Sequence, residues 1–245
     1  MEQQKRNLIL VSALDVLAAI ALPFLLAAKG AAAAVSWLRG SDKPFDSSSQ
    51  SAERAKVDTS KWTLELLKRI EWRRFEELCV AYFETLGFST RTAPSGADGG
   101  VDISLYAAGS ESASIIVQCK AWNAYTVGIN PIRALRAAMT SGKYGEGVFV
   151  TSGRFTREAR DYAAKEQIHL IDGAELLGKI AGLVPEKALA LLKFATQGEF
   201  LTPTCPSCAI KMISRKSTQS GRKFWACRNY PRCKQTFFGV SNAPG

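Results

Sequence analysis

Histidine is almost missing from this sequence: His169 is the only one in 245 residues. That scarcity argues against a histidine-rich metal site and against a His-Asn-His hydrolytic core. Cysteine is sparse as well, six in all, far below the density of a secreted disulfide scaffold. No internal repeat runs along the chain. With 47% hydrophobic and 22% charged residues the composition excludes intrinsic disorder and a collagen-like fibre. Only one apolar stretch approaches membrane length, so a polytopic membrane protein is excluded too. The length allows one medium domain plus something small, and no large multi-domain machine.

Charge is unevenly placed. The net charge is +10. Residues 1–60 carry seven Lys/Arg against six Asp/Glu, and residues 61–198 carry 17 against 15. Residues 199–245 carry eight against one. A small basic module at this end therefore faces a polyanion.

At the other end, Leu8 to Ala28 is a run of 21 residues, apolar except for Ser12 and Asp15, with Pro23 inside. About 20 apolar residues cross a bilayer core of roughly 30 Å. Asp15 costs on the order of 2.5–3.5 kcal/mol at a helix centre, less where it approaches the headgroups. The expectation is a single membrane-anchoring helix over residues 8–28 within a segment 1–39. A removed signal peptide, suggested by the small-residue run Ala31–Ala34, and a buried or amphipathic helix are the alternatives. Lys29, Arg39 and Lys43 outnumber Lys5 and Arg6 across the span. This places the C-terminal bulk in the cytoplasm, on an inner membrane. Residues 40–60, rich in Ser, Asp and Lys, read as a flexible linker.

Four of the six cysteines crowd the basic end. Cys205 and Cys208 form a Cys-x2-Cys pair, and after 18 residues Cys227 and Cys233 form a Cys-x5-Cys pair. Two short turns that each present two sulfurs to one point suit a tetrahedral Zn²⁺, with about 2.3 Å to each sulfur. A disulfide pairing is the alternative, disfavoured in a reducing compartment. Cations interleave with aromatics here: Arg215, Lys216, Arg222, Lys223, Phe224, Trp225, Arg228, Tyr230 and Arg232, with Lys211 and Lys234 flanking them. Such a surface meets phosphates and stacks on bases. The bland alternative is that Phe224 and Trp225 only cover the metal site. The stretch CPSCAIKMISRKSTQSGRKFWACRNYPRCKQTFFG closely resembles the C-terminal zinc ribbons of bacterial type I topoisomerases. The resemblance covers about 35 residues, within a four-cysteine ribbon domain expected over 202–240, and implies single-stranded or duplex DNA binding. Topoisomerase activity is not implied, because the large catalytic domains of that family do not fit in this chain.

Between Trp62 and about Phe194 helical and strand periods alternate. Trp72, Phe75, Leu78, Cys79, Tyr82, Phe83 and Leu86 mark an amphipathic helix ended by Gly87. Phe88 to Thr92 is extended, and the turn-rich PSGADGG follows. Val101–Leu105 and Ile115–Lys120 alternate and pair as a hairpin. Helices begin near Pro131, from Phe155 to Lys165 and from Gly173 to Ile180. Strands cover Gly147–Thr151 and Ile168–Ile171. The expected fold is α/β, a mixed sheet flanked by helices over residues 61–195.

Alternation decides which side chains meet. Gln118 and Lys120 project to one face of their strand, and Asp102 and Ser104 to one face of the preceding strand. Pairing those strands brings Asp102, Gln118 and Lys120 together. Asp102 and the Gln118 carbonyl are oxygen ligands suited to Mg²⁺. Lys120 can orient or help deprotonate a water and offset developing charge. On spacing alone, chance placement on a solvated face is the competing reading.

The runs FEELCVAYFETLGF, SGADGGVDI, VQCKAW, VFVTSGRFTREAR and LIDGAELL resemble, in the right order, the Mrr-type restriction endonuclease domain over residues 70–182. The resemblance implies the PD-(D/E)xK nuclease fold and DNA cleavage with a divalent metal. It implies that Asp102 is the metal-binding aspartate, that Gln118 and Lys120 form the Gln-x-Lys pair, and that Glu76 is the helix carboxylate completing the site. Glu77 is the lesser candidate. Asp98 is a turn residue or an outer-sphere group, and Gly96, Gly99 and Gly100 permit the turn before Asp102.

Thr156 is expected to cap its helix. Arg154, Arg157 and Arg160 contact phosphate or are simply solvated, His169 is structural, and Cys79 and Cys119 are small core residues. The function expected is a membrane-tethered, metal-dependent DNA endonuclease whose ribbon holds DNA. A homodimer supplies the second site for double-strand cutting. The alternative is a non-catalytic membrane-anchored DNA-binding protein, or one whose ribbon recruits a topoisomerase or polymerase.

Overall fold

A computed structural model describes residues 57–92, 101–121, 126–218 and 220–238. The expected span at residues 8–28, most of the linker, and Asp98 with Gly96, Gly99 and Gly100 lie outside the described residues. Among the described residues no helix is long and apolar enough to cross a membrane. Thr59–Gly245 forms one compact unit, and everything below concerns it.

Helix α1 (Leu64–Arg69) starts where the Thr63 hydroxyl accepts the Leu66 N–H at 3.0 Å. Helix α2 (Trp72–Thr85) buries Trp72, Phe75, Leu78, Cys79, Tyr82 and Phe83, the three- and four-residue spacing expected. Gly87, at φ +97°, turns the chain out of it, a left-handed conformation that glycine adopts without strain.

Strands β1 (Ser89–Thr92), β2 (Ile103–Tyr106) and β3 (Ile115–Lys120) form an antiparallel meander. Short strand β4 (Thr126–Val127) follows, then helix α3 (Ile129–Gly142). Pro131 sits in the first turn of α3, where a missing N–H costs nothing. Strand β5 (Glu146–Thr151) returns parallel to β3. Short strand β6 (Arg154–Phe155) pairs with β4. Helix α4 (Arg157–Ala163) and strand β7 (Ile168–Ile171), parallel to β5, complete the sheet. Its order is β1-β2-β3-β5-β7. The helix expected over Phe155–Lys165 is shorter at both ends, because Phe155 belongs to β6 and Thr156 is the cap, accepting the Ala159 N–H at 3.2 Å.

Helices α5 (Gly173–Ala181) and α6 (Pro185–Thr196) follow. Asp172 caps α5 through the Ala174 and Glu175 amides. Helix α6 has no counterpart in the sequence reading, since KALALLKFA lacks a clean helical period. Leu191, Leu192 and Ala195 are buried while Leu189 is exposed.

Two helical layers sandwich the sheet. Ile116 of β3 and Phe149 of β5 pack against Ile132, Leu135 and Met139 of α3 and Ala159 and Ala163 of α4. On the other side α2 lies against β1 and β3, α5 against β5, and α6 against α2. The Cys119 thiol meets Cys79 of α2. Every residue of β3 from Ile115 to Cys119 is buried, as in a parallel strand covered on both faces.

The last segment folds as an antiparallel three-stranded sheet of β8 (Ile213–Lys216), β9 (Lys223–Ala226) and β10 (Thr236–Phe238) in the order β10-β9-β8. Ahead of it, Thr204 and Lys211 pair as an antiparallel bridge closing a loop that carries Cys205 and Cys208.

Candidate active site

Asp102 immediately precedes β2. The register Ile103↔Val117 continues outward so that Asp102 stands beside Gln118, and the Asp102 N–H donates to the Val117 carbonyl at 3.0 Å. Its Oδ2 accepts the Cys119 N–H at 2.6 Å, which locks the carboxylate over the end of β3. Lys120, at the carboxyl end of β3, is in register with Thr151 of β5. The Lys120 carbonyl accepts the Thr151 hydroxyl at 2.8 Å and the Ser152 N–H at 3.3 Å. Carboxyl ends of parallel strands are where open α/β sheets bind ligands.

Glu76 enters from α2. Burial pushes its carboxyl up from 4.5 to about 8. Asp102 pushes the same way, while Lys120 and Arg73 oppose. Asp102 is also raised, chiefly by burial, against the Cys119 amide and the Lys120 ammonium. The Glu76 and Asp102 carboxyls and the Lys120 ammonium therefore sense one another in partly dry surroundings. Gln118, on β3 and next to Asp102 by strand register, is 4% exposed, and its buried Oε1 has no hydrogen-bond partner among the described residues.

That orphaned oxygen tests whether a divalent cation fits. A buried amide oxygen without a donor costs roughly 1–3 kcal/mol, and two crowded carboxyls resist ionisation. Oxygen donors of this kind, an amide carbonyl and carboxylates, suit a hard divalent cation. Glu77 takes no part: it is half-exposed and pairs with Arg73 at 3.6 Å and Arg74 at 3.2 Å.

The four ribbon cysteines converge. Their sulfurs all lie within 4.8 Å of one another, and Cys205 and Cys233 are 3.7 Å apart. Sulfurs ligating one tetrahedral zinc stand about 3.8 Å apart, so the cluster fits Zn²⁺. Arg215, Lys216, Arg222, Lys223, Arg228, Tyr230 and Arg232 are exposed, while Phe224 and Trp225 are half-buried. Phe224 stacks on Phe238 at 5.4 Å between ring centres and 23° between planes, with Arg215 in register beside it. Phe238, 67% exposed, was not anticipated. Its place beside Phe224 follows only from the β9–β10 pairing.

One cation departs from the expected surface, while Arg157 and Arg160 stay exposed with acidic partners. Lys211 turns inward, its ammonium 3.0 Å from Glu71 Oε1. Arg160 pairs with Asp172 at 2.7 Å and covers the Phe155 ring, and Arg157 reaches Asp161 at 3.8 Å. Arg154 remains exposed. His169 sits on edge strand β7 with Nε2 3.4 Å from Glu146 Oε2, well away from Lys120 along the sheet.

Residues 67–180 match the Mrr catalytic family model described as a restriction endonuclease, and residues 202–242 match the topoisomerase DNA binding C4 zinc finger. The type IV methyl-directed restriction enzyme EcoKMrr of Escherichia coli is 33% identical over 143 residues, 55% of this chain and 46% of that protein. The uncharacterized protein y4cE of Sinorhizobium fredii is 32% identical over 95 residues, 38% of this chain and 24% of that protein. The chain thus spans less than half the length of either relative. Among solved structures, the MspJI restriction endonuclease in complex with a 27-mer oligonucleotide has a TM-score of 0.37 at 18% identity, over 71% of this chain and 42% of that one. The DNA modification-dependent restriction endonuclease AspBHI has a TM-score of 0.39 at 19% identity, over 57% and 42%. Neither superposition bears on individual residues. On the two family matches, the chain carries an Mrr-type restriction endonuclease domain with a mixed α/β fold, followed by a topoisomerase-type four-cysteine zinc ribbon.

Proposed function

We propose that this chain is a DNA endonuclease that hydrolyses phosphodiester bonds with a divalent cation, Mg²⁺, at Asp102, Gln118, Lys120 and Glu76. The observation that supports this reading is the buried, donorless Gln118 Oε1, next to Asp102 by strand register, in a domain where Glu76, Asp102 and Lys120 feel one another's charge. Asp102 and the Gln118 oxygen would hold the cation, with Glu76 completing the charge that an amide in place of a carboxylate leaves out. The cation supplies Lewis-acid polarisation of the phosphate and a more acidic water. Lys120 orients the attacking water and offsets charge as it develops on the phosphate oxygens. The Cys119 amide fixes Asp102, and the Thr151 hydroxyl fixes the strand end that bears Lys120. In the ribbon, the exposed cations hold phosphates and the Phe224–Phe238 pair offers a face to bases.

We extend this reading to the rest of the chain: residues 8–28 tether it to the inner membrane, with the nuclease domain and ribbon in the cytoplasm. Cutting both strands takes a second copy.

The test is cleavage of supercoiled plasmids of several methylation states by the full chain, with Mg²⁺ and with EDTA. The expected outcome is metal-dependent nicking, lowered by about 100-fold or more in Lys120→Ala and Asp102→Ala. Wild-type rates in Lys120→Ala would sink the assignment. Tight DNA binding with no cutting of any plasmid would move the reading to a membrane-anchored DNA-binding protein.

A further inference from the structure

Glu71 is the residue that joins the two halves of this unit. Only 1% of it is exposed. Its carboxylate caps α2, accepting the Arg73 N–H on Oε2 at 3.1 Å and the Arg74 N–H on Oε1 at 3.2 Å. The same two oxygens face the ribbon. Oε2 accepts the Thr204 N–H at 3.1 Å, and Oε1 accepts the Thr204 hydroxyl at 3.0 Å and the Lys211 ammonium at 3.0 Å. Five donors converge on one buried carboxylate, three of them from the ribbon. The neighbouring bonds repeat the connection. The Glu71 N–H donates to the Phe200 carbonyl at 2.9 Å, and the Trp72 indole N–H donates to the Thr204 carbonyl at 2.8 Å.

Thr204 and Lys211 are the two stems of the first cysteine turn. They bridge each other, and between them the Cys205 N–H donates to the Ile210 carbonyl at 2.8 Å and the Ala209 N–H to the Cys205 carbonyl at 2.8 Å. A cation on Cys205 and Cys208 closes this turn and holds its stems at the spacing that Glu71 requires. Opening the turn withdraws three of the five donors. A buried carboxylate stripped of its partners is poorly solvated and must move toward water. That movement loosens the first turn of α2, and Glu76 stands on the next one.

We propose that Glu71 couples Zn²⁺ ligation by the first cysteine turn to the order of the helix that carries Glu76. The ribbon is then a structural part of the nuclease unit as well as a DNA grip, and its basic face is held at a set position relative to Lys120. Coupling between two sites is reciprocal. Ordering α2 must tighten Zn²⁺ by the factor by which Zn²⁺ protects α2.

The coupling is independent of whether the chain cuts DNA, so it is tested without a cleavage assay. In the full chain, hydrogen exchange is compared with Zn²⁺ bound and after chelation. The Arg73 and Arg74 amides should lose protection about ten-fold, while Val148–Val150 in the central strand keep theirs. Zn²⁺ affinity, read by competition with a chromophoric chelator, should fall about ten-fold in Glu71→Ala, with part of it restored in Glu71→Gln. Lys211→Met and Thr204→Val leave the nuclease core untouched and carry the same expectation if Glu71→Ala fails to fold. Unchanged exchange at Arg73 and Arg74, equal loss throughout the sheet, or wild-type Zn²⁺ affinity in the Lys211 and Thr204 variants would overturn the proposal.

Discussion

Cys205, Cys208, Cys227 and Cys233 meet because two tight turns and one hairpin carry them, all within 29 consecutive residues. Asp102 stands beside Gln118 because neighbouring strands are in a particular register, and Glu76 feels the charges of Asp102 and Lys120 because a helix packs on the sheet that carries them. The ribbon has few large buried side chains, chiefly Met212 and Phe237, so its cation takes the place of a core. The nuclease domain buries Phe75, Phe83, Phe149 and many aliphatics, and that core supports a polar pocket at a stability cost. One site is held together by its ligand and the other by its surroundings, and the two should respond oppositely to the same perturbations.

The largest effect expected is on the ribbon. Structural zinc contributes roughly 10–16 kcal/mol in small zinc-dependent folds. Cys205→Ser or chelation should therefore unfold residues 202–238 while the central sheet keeps a cooperative melting transition, measured by circular dichroism against zinc content. Loss of the whole transition would erase the distinction between the two regions.

Next comes the nuclease core. Phe149, fully buried between the sheet and α3, is in edge contact with Phe155 at 5.8 Å. Phe149→Ala should cost about 3–5 kcal/mol in denaturant unfolding, with zinc content unchanged. Parallel loss of zinc would mean that the ribbon depends on the sheet itself.

A smaller effect isolates the pocket. The Glu76 carboxyl is protonated more readily in the folded chain, with a value of about 8 against 4.5 ordinarily. Its stabilising contribution is fully present below pH 4.5 and is lost as the pH rises through about 8. The metal-free protein should therefore lose on the order of a few kcal/mol over that window through this group. Urea midpoints against pH should flatten in Glu76→Gln, and an unchanged slope would place Glu76 outside the pocket. Divalent cation added near pH 7 should release protons, since ligation needs the ionised form.

The smallest effect compares two glycines near β5. A Cβ on Gly173 would meet the Ser152 carbonyl oxygen at 2.5 Å, backbone that holds the Lys120 strand end, whereas one on Gly147 would meet the flexible Met139 sulfur at 2.7 Å. Gly173→Ala should cost roughly 1–3 kcal/mol and Gly147→Ala less. The reverse order in thermal shift would show that the strand end yields more easily than the core.

Much of this was legible in residue patterns, and the misses share a cause. Helix α2, strands β2, β3, β5 and β7, the Thr156 cap and the four-cysteine cluster all follow from local periodicity or spacing. The pairing of Asp102 with Gln118 follows from alternation plus one hairpin. Helix α6 was missed because its Ala/Leu run shows no clear face until α2 covers one side. Lys211 reads as one more cation in a basic segment, and nothing nearby in sequence hints that its partner lies 140 residues away at Glu71. Phe238 lies beyond the last cysteine and joins Phe224 only through strand pairing.

By itself the sequence determined which residues share a strand face or a turn, since pleat, helical period and ligand spacing act over a few residues and follow directly from backbone geometry. Tertiary structure alone decided that Glu76 meets Asp102, that the Gln118 oxygen is left without a donor, and that the ribbon clasps the cap of α2. These depend on desolvation and on packing between distant segments, and whether a carboxylate is capped, paired or pushed to accept a proton is set by what surrounds it.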